Sequence, residues 1–240
     1  MSLDVDNVYL GDCLEKMQLI DDKSIDMICV DLPYGTTRNS WDSVIPFTDL
    51  WKQYERIIKD NAAMVFTGQS LFSAKLILSN EKLYRYSLIW EKTKAGGFLN
   101  ANRMPLQAHE DILVFYKNLP TYNPQFEQGK PYTKKAITNG DGGNYGKFER
   151  AGVTNVNEGK RFPRSVIKIA NDNHKSLHKT QKPIALMEYL IKTYSNENDL
   201  ILDCCAGSGS TLVAAKNLNR RYIGIEKEKK YYDIIKERLK

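Results

Sequence analysis

No apolar run in this sequence is long enough to cross a bilayer, and its first residues, Met1-Ser2-Leu3-Asp4, have none of the regions of a secretion signal. A soluble, cytoplasmic protein with no membrane partner is expected. Cysteine is scarce: of the 4, Cys13 and Cys29 stand singly and Cys204-Cys205 are adjacent. The C-x-x-C spacing of a zinc site is missing, so no metal is expected and the thiols read as small buried residues. A complete G-x-G-x-x-G is also missing, since Gly207 and Gly209 are followed by Leu212, which counts against a nicotinamide dinucleotide. The chain has no internal repeat.

What is present is one globular core's worth of residues, 240 of them and 42% hydrophobic. Apolar strands and amphipathic helices alternate from Val5 to Tyr116 and again from Pro183 to Leu239, the pattern of an α/β sheet under helical cover. Between them the pattern fails. The segment holds Pro120, Pro124, Pro131 and Pro163, a glycine-rich run from Gly140 to Gly146, and aromatics interleaved with bases. From Lys117 to Lys182 there are 13 Lys or Arg against 5 Asp or Glu, a net of +8 in a chain whose total is +6, so the remainder carries −2. A basic segment on a slightly acidic body suggests a polyanionic partner, nucleic acid first; a solvated lysine-rich loop is the plainer alternative. The division expected is 1–117 and 178–240 as two halves of one α/β domain, with 118–177 as an insert.

Two stretches carry chemistry. Met27 to Val30 is a contiguous apolar strand, and Asp31-Leu32-Pro33-Tyr34 follows at its carboxyl end, where open α/β sheets place their ligands. Taken alone it could equally be a turn capped by Asp31. The second stretch is Leu200 to Glu226: a buried strand ending in Asp203, a Gly/Ser loop, a helix from about Ser210, and a strand ending in Glu226. Glycines admit close backbone approach, a helix N-terminus offers free amides, and an acid about 20 residues on suits a ribose hydroxyl. Such a unit could hold any adenosine-containing cofactor. Thr36 to Pro46, with Trp41-Asp42 inside it, reads as a mobile loop over the site.

Together these stretches resemble the amino-methyltransferases of DNA, which carry a D/N/S-P-P-Y/F tetrapeptide and a D-P-F-x-G-S-G-T loop. Asp203, Gly207, Ser208, Gly209 and Thr211 match the loop, and Cys204 and Cys205 depart from its Pro and Phe. Leu32 departs from the usual Pro. Gly11-Asp12 resembles the loop whose acid meets the cofactor adenine. His109-Glu110 before Ile112 to Phe115 resembles the H-E-x-x-x-x-F strand, and His178-Lys179-Thr180-Gln181-Lys182-Pro183 resembles the H-P-T-Q-K-P loop beside the cofactor's methionine end. Each His reads alone as a hydrogen-bonded structural residue, and the resemblance places both near the pocket. The tetrapeptide precedes the glycine loop with the basic insert between, the order of the beta group, whose insert recognises the target.

The resemblance implies a Rossmann-like methyltransferase fold, a mostly parallel twisted sheet with helices on both faces. It implies S-adenosyl-L-methionine as cofactor and double-stranded DNA as partner, with methyl transfer to adenine N6. Asp rather than Ser at position 31 favours adenine over cytosine N4, which stays as the alternative. A homodimer and a cognate restriction endonuclease are expectations by analogy. Asp31, Leu32, Pro33 and Tyr34 are the catalytic candidates. Asp12, Asp31, Lys182, Asp203, Ala206, Gly207, Gly209, Thr211 and Glu226 are the cofactor candidates, and Arg150, Arg161 and Arg164 the DNA contacts. An oxidoreductase leaves the basic insert unexplained, and a binding subunit without activity predicts a damaged tetrapeptide.

Overall fold

A computed structural model describes residues 2–37, 39, 42–136, 139–141, 147–149, 151–171 and 181–240. In chain order the elements begin β1 (Asn7–Leu10), α1 (Cys13–Met17), β2 (Ile25–Val30), α2 (Phe47–Ile57), β3 (Ile58–Gly68), α3 (Ser70–Ser79), β4 (Tyr84–Gly96) and β5 (Gln107–Phe115). Six short strands come next: β6 (Glu127–Gln128), β7 (Tyr132–Lys135), β8 (Gly140–Asp141), β9 (Lys147–Phe148), β10 (Thr154–Asn157) and β11 (Lys160–Arg161). The chain closes with β12 (Val166–Ile169), α4 (Ile184–Tyr194), β13 (Leu200–Asp203), α5 (Ser210–Asn217), β14 (Arg221–Glu226) and α6 (Lys229–Arg238).

Eight strands form the main sheet in the order β1-β14-β13-β2-β3-β5-β4-β12. Every neighbouring pair is parallel except the two made by β5, which runs against both β3 and β4. The α/β alternation expected from sequence is thus present as a mostly parallel sheet.

The uninterrupted apolar run of β2 reflects burial on both faces. Ile28 and Val30 face one side, with Met64, Phe66, Leu113, Phe115 and Leu202, under Met17 of α1, Leu50, Trp51 and Tyr54 of α2, and Leu76 of α3. Met27 and Cys29 face the other, with Ala63, Val65, Ile112, Val114 and Ile201, under Leu186 and Leu190 of α4, Leu212 of α5 and Ile235 of α6. Odd and even positions of each strand therefore feed two separate cores, and a one-residue register slip would exchange them. Helix α5 packs closely on β14: a Cβ on Gly224 would lie 2.3 Å from Leu212 Cδ1, so a larger residue there would require the buried Leu212 side chain to shift.

The chain divides into two compact units, Met1–Asn123 with Ser165–Lys240, and Pro124–Arg164. The second is narrower than the expected insert of 118–177. Val166–Ile169 is one cause: it pairs in parallel with Ile89–Lys92 at the edge of the main sheet. Its Val-Ile-Lys-Ile alternation suits an edge strand, but it lies in a run of polar and basic residues that hides it. The second unit is built from antiparallel pairs, β7 with β10, β6 with β11 and β8 with β9. Among the described residues no helix is long and apolar enough to cross a membrane.

Candidate active site

The sheet's connections reverse direction between β13 and β2, whose residues Leu202 and Ile28 are paired. Open α/β sheets form their ligand crevice at such a switch point, beyond the carboxyl ends of the strands. A cavity of about 710 Å³ lies here, a volume typical of small-molecule sites. It is lined from the strand ends: Asp12 after β1, Asp31 to Tyr34 after β2, Asp203 to Ser208 after β13, and Glu226 closing β14.

Asp31 is the centre of a charged network. Its Oδ2 is 2.6 Å from Lys182 Nζ, which also lies 3.2 Å from Glu110 Oε2; Glu110 Oε1 is 2.6 Å from Lys92 Nζ. Asp31 Oδ1 accepts from the Tyr34 hydroxyl at 2.8 Å and from the Thr67 hydroxyl. An ionised carboxylate offers about four acceptor positions. Three are taken, so Asp31 keeps one for a further donor. Burial opposes the charge on Lys182, and the Asp31 and Glu110 carboxylates outweigh it, leaving its pKa raised. Lys182 is therefore a cation between two carboxylates. Burial, and then Asp31 and Glu110, push the Tyr34 phenol well up, so Tyr34 acts as a neutral donor.

Leu32, in place of the usual Pro, sends its side chain into the core beneath the sheet, a burial that contributes about 2 kcal/mol. Tyr34 packs on Phe72 with ring centroids 4.7 Å apart. The next loop is no free strap in its described part. Buried Asp42 accepts the backbone N–H groups of Gly35, Thr36 and Thr37 at 2.8, 3.0 and 2.6 Å. Trp41 lies outside the described residues.

On the other side of the switch point, the loop after β13 is shaped for close approach. Gly207 has φ of +53°, and a Cβ there would meet open space. Its N–H donates to Glu226 Oε2 at 2.7 Å, and Glu228 N–H donates to Glu226 Oε1 at 2.7 Å. Ala206 and Thr211 also line the cavity. Gly209 does not: it precedes α5 with φ of +82° and packs on Ile235. Ser210 lines the cavity, and its Oγ is buried without a hydrogen-bond partner among the described residues. Asp12 caps α1, accepting from Leu14 N–H at 2.9 Å.

Asp203 is buried at the base of this loop. Burial raises its carboxyl to about 7, against hydrogen bonds from the Thr211 hydroxyl and the Cys205 amide. Its unfolded counterpart ionises near 3.8. The native state alone therefore holds that proton between these values, and stability falls as pH rises from about 4 to about 7. Asp203→Asn removes this slope. Urea unfolding at about pH 5 and about pH 8 should show wild type losing about 2–3 kcal/mol relative to the variant; parallel profiles would contradict the buried proton.

Several residues here are invisible to sequence reading. Lys92 and Thr67 carry no motif signal, and Glu110 shows only as one letter of the H-E motif. His109, by contrast, is exposed and does not line the cavity: alternation on β5 turns Glu110 inward and His109 out. His178 and Arg150 lie outside the described residues. Arg161 and Arg164 belong to the second unit. Arg161 is tied within it, its guanidinium bonded to Asn157 Oδ1 and the Lys130 carbonyl and lying 4.8 Å from the Tyr132 ring centroid. Arg164 is exposed.

A family model described as DNA methylase matches residues 25–237. The chain belongs to that family. Among curated relatives of this methylase, the type II methyltransferase M.HinfI of Haemophilus influenzae is 30% identical over 266 residues, covering 98% of this chain and 68% of that protein. M1.MboII of Moraxella bovis is 28% identical, covering 95% and 94%. Among solved structures, the complex of M1.HpyAVI with SAM has a TM-score of 0.68 at 26% identity, covering 97% of this chain and 98% of that one. The cytosine-N4-specific PvuII DNA methyltransferase has a TM-score of 0.71 at 15% identity, covering 99% and 87%, a likeness of fold. The methylase sheet is thus the Rossmann-like methyltransferase sheet.

Proposed function

We propose that this methylase transfers a methyl group from S-adenosyl-L-methionine to adenine N6 at specific sites in double-stranded DNA. The observation that carries the reading is the Asp31 carboxylate, paired with the Lys182 cation and with one acceptor position left, across the switch point from an open glycine loop. The cavity fits the cofactor: Gly207 leaves the space a side chain would fill, Ser210 Oγ is an orphaned polar atom, and Glu226 is an acid at the end of the second strand. Asp12, Asp203, Ala206, Gly207, Thr211 and Glu226 would hold it, with Gly209 shaping the loop. S-adenosyl-L-methionine supplies an electrophilic methyl group on a sulfonium.

The chain's own residues have to make a poor nucleophile better. An exocyclic amino nitrogen is weak because its lone pair is delocalised into the base. Asp31 accepts one N–H and the Leu32 carbonyl the other, drawing the nitrogen toward a pyramidal geometry. Pro33 stiffens that carbonyl, and Tyr34 offers a face for the base to stack on. Positioning and electrostatics supply most of the rate. Asp31 needs no strong basicity, since the proton can leave to water after transfer. The target atom lies within a duplex, so the base has to be flipped into the site. A carboxylate accepts from an amino group of adenine or cytosine alike, and cytosine N4 is the alternative. A cognate restriction endonuclease and a homodimer belong to the same proposal by analogy alone.

Mapping methylated bases in DNA from a host expressing the chain tests this: modified adenines at one short motif are expected, and modified cytosines at that motif would select the alternative. Sequence choice is assigned to Pro124–Arg164, with exposed Arg164 a better candidate reader than the tethered Arg161. Lys and Arg there contact phosphates, so affinity falls steeply with salt. Removing residues 139–160 alone would strip β7 of its partner β10, so the whole unit is the better cut. Replacing Pro124–Arg164 with a short Gly/Ser linker should weaken duplex binding and erase the motif while cofactor affinity stays near wild type. An unchanged methylation map would place recognition elsewhere.

A further inference from the structure

Three of the four cysteines, drawn from opposite ends of the chain, meet in space. The Sγ atoms of Cys13, Cys204 and Cys205 all lie within 4.8 Å of one another. Cys13 opens α1 directly after Asp12, and Cys204-Cys205 come directly after Asp203, so pairing of β1 and β13 with β14 holds both segments together. All three residues line the cofactor cavity. None is required by the methyl-transfer chemistry proposed above.

The donor set defines a ligand. Sulfur bonded to zinc lies about 2.3 Å from the ion, so three thiolates on one ion stand about 3.8–4.0 Å apart. Sulfurs already within 4.8 Å reach that spacing by a contraction of less than about 1 Å. Soft thiolates select zinc or monovalent copper and discriminate against magnesium and calcium. Asp12, which adjoins Cys13 in the chain, adds negative potential that favours a cation. Three protein donors leave a fourth position open on an ion bound there.

We propose that Cys13, Cys204 and Cys205 form a three-thiolate site for a thiophilic cation, zinc first, whose occupancy excludes the methyl donor. The second clause rests on the function proposed above, and the first does not. Binding exchanges each ligating S–H proton for the metal, releasing up to three protons per ion to solvent, so no oxidant or reductant is needed. An ion at these sulfurs sits on the loop that cradles the cofactor, which couples zinc availability to DNA modification.

The test uses the full chain, stripped of metal and kept reduced. Zinc is titrated against a chromophoric chelator, and cadmium is titrated while the thiolate-to-metal absorption band is followed. One ion per chain is expected, with affinity falling about a hundredfold or more in Cys13→Ser and in Cys205→Ser and holding in Cys29→Ala, whose thiol lies in the opposite core. Circular dichroism identifies any variant that fails to fold, and the wild-type cadmium band decides by itself in that event. S-adenosyl-L-methionine affinity, read by calorimetry, should fall with zinc in wild type and be insensitive to zinc in Cys205→Ser. No cadmium band, or equal zinc affinity in wild type and the Ser variants, would overturn the site. A Cys13 disulfide that persists in reduced glutathione would also overturn it, because oxidised sulfurs hold no ion. Zinc bound with cofactor affinity unchanged overturns the exclusion. A chain that binds zinc but never the cofactor refutes the proposed function instead.

Discussion

Asp31→Ala should reduce methyl transfer to near background while cofactor affinity stays within about tenfold, roughly 1.4 kcal/mol. The variant removes the acceptor that draws out the amino nitrogen and leaves the glycine loop across the switch point untouched. It does not strand a charge: Lys182 keeps its ion pair with Glu110 at 3.2 Å, and the Tyr34 hydroxyl keeps Thr67 Oγ1 at 3.2 Å. The loss should therefore appear in single-turnover rate rather than in the denaturation midpoint. If Asp31 were only a turn cap, the reverse would hold, with lower stability and full activity in the folded fraction. Asp31→Asn sharpens the test. It retains one acceptor oxygen but loses the attraction of Lys182, and an intermediate rate would separate hydrogen bonding from charge.

Gly207→Phe should abolish S-adenosyl-L-methionine binding. Two costs act at this position. A left-handed φ of +53° strains any L side chain, by about 1–2 kcal/mol. The side chain would also project into the cavity, since nothing lies within 4 Å of the position its Cβ would take. Gly207→Ala carries the first cost with little of the second. Calorimetry should therefore find weakened binding for Ala and none for Phe, with both proteins folded. Equal affinity in Phe and wild type would remove the glycine loop from the cofactor site.

The legibility of this chain is uneven for physical reasons. Continuous apolar runs such as Met27 to Val30 announce strands buried on both faces, and the residues directly after such a run then stand at a strand end. That is why the Asp31 tetrapeptide, the loop after Asp203 and Glu226 can all be placed at one edge of a sheet from sequence alone. Helix α2 is equally plain, since Leu50, Trp51, Tyr54 and Ile57 recur at helical spacing and all are buried. Features that depend on pairing across the sheet are hidden. Lys92 and Glu110 meet because β4 and β5 run antiparallel with Glu91 opposite His109, a register that no local pattern encodes. The three thiols meet because β14 lies between β1 and β13. Val166–Ile169 resembles part of a basic loop, because an exposed edge strand needs few apolar residues. Asp42 gives no signal, since a carboxylate that gathers three amides looks like any loop acid.

One cavity at the switch point is proposed to serve both the methyl donor and an exocyclic amino group of DNA. Incubating the purified chain with S-adenosyl-L-methionine labelled in its methyl group and unmodified duplex, then digesting the DNA to nucleosides, tests it directly. Label in the N6-methyldeoxyadenosine fraction, lost in Asp31→Ala while the variant still binds the donor, is the result expected. Donor bound with no label entering the DNA, or labelled DNA from Asp31→Ala at the wild-type rate, would contradict it.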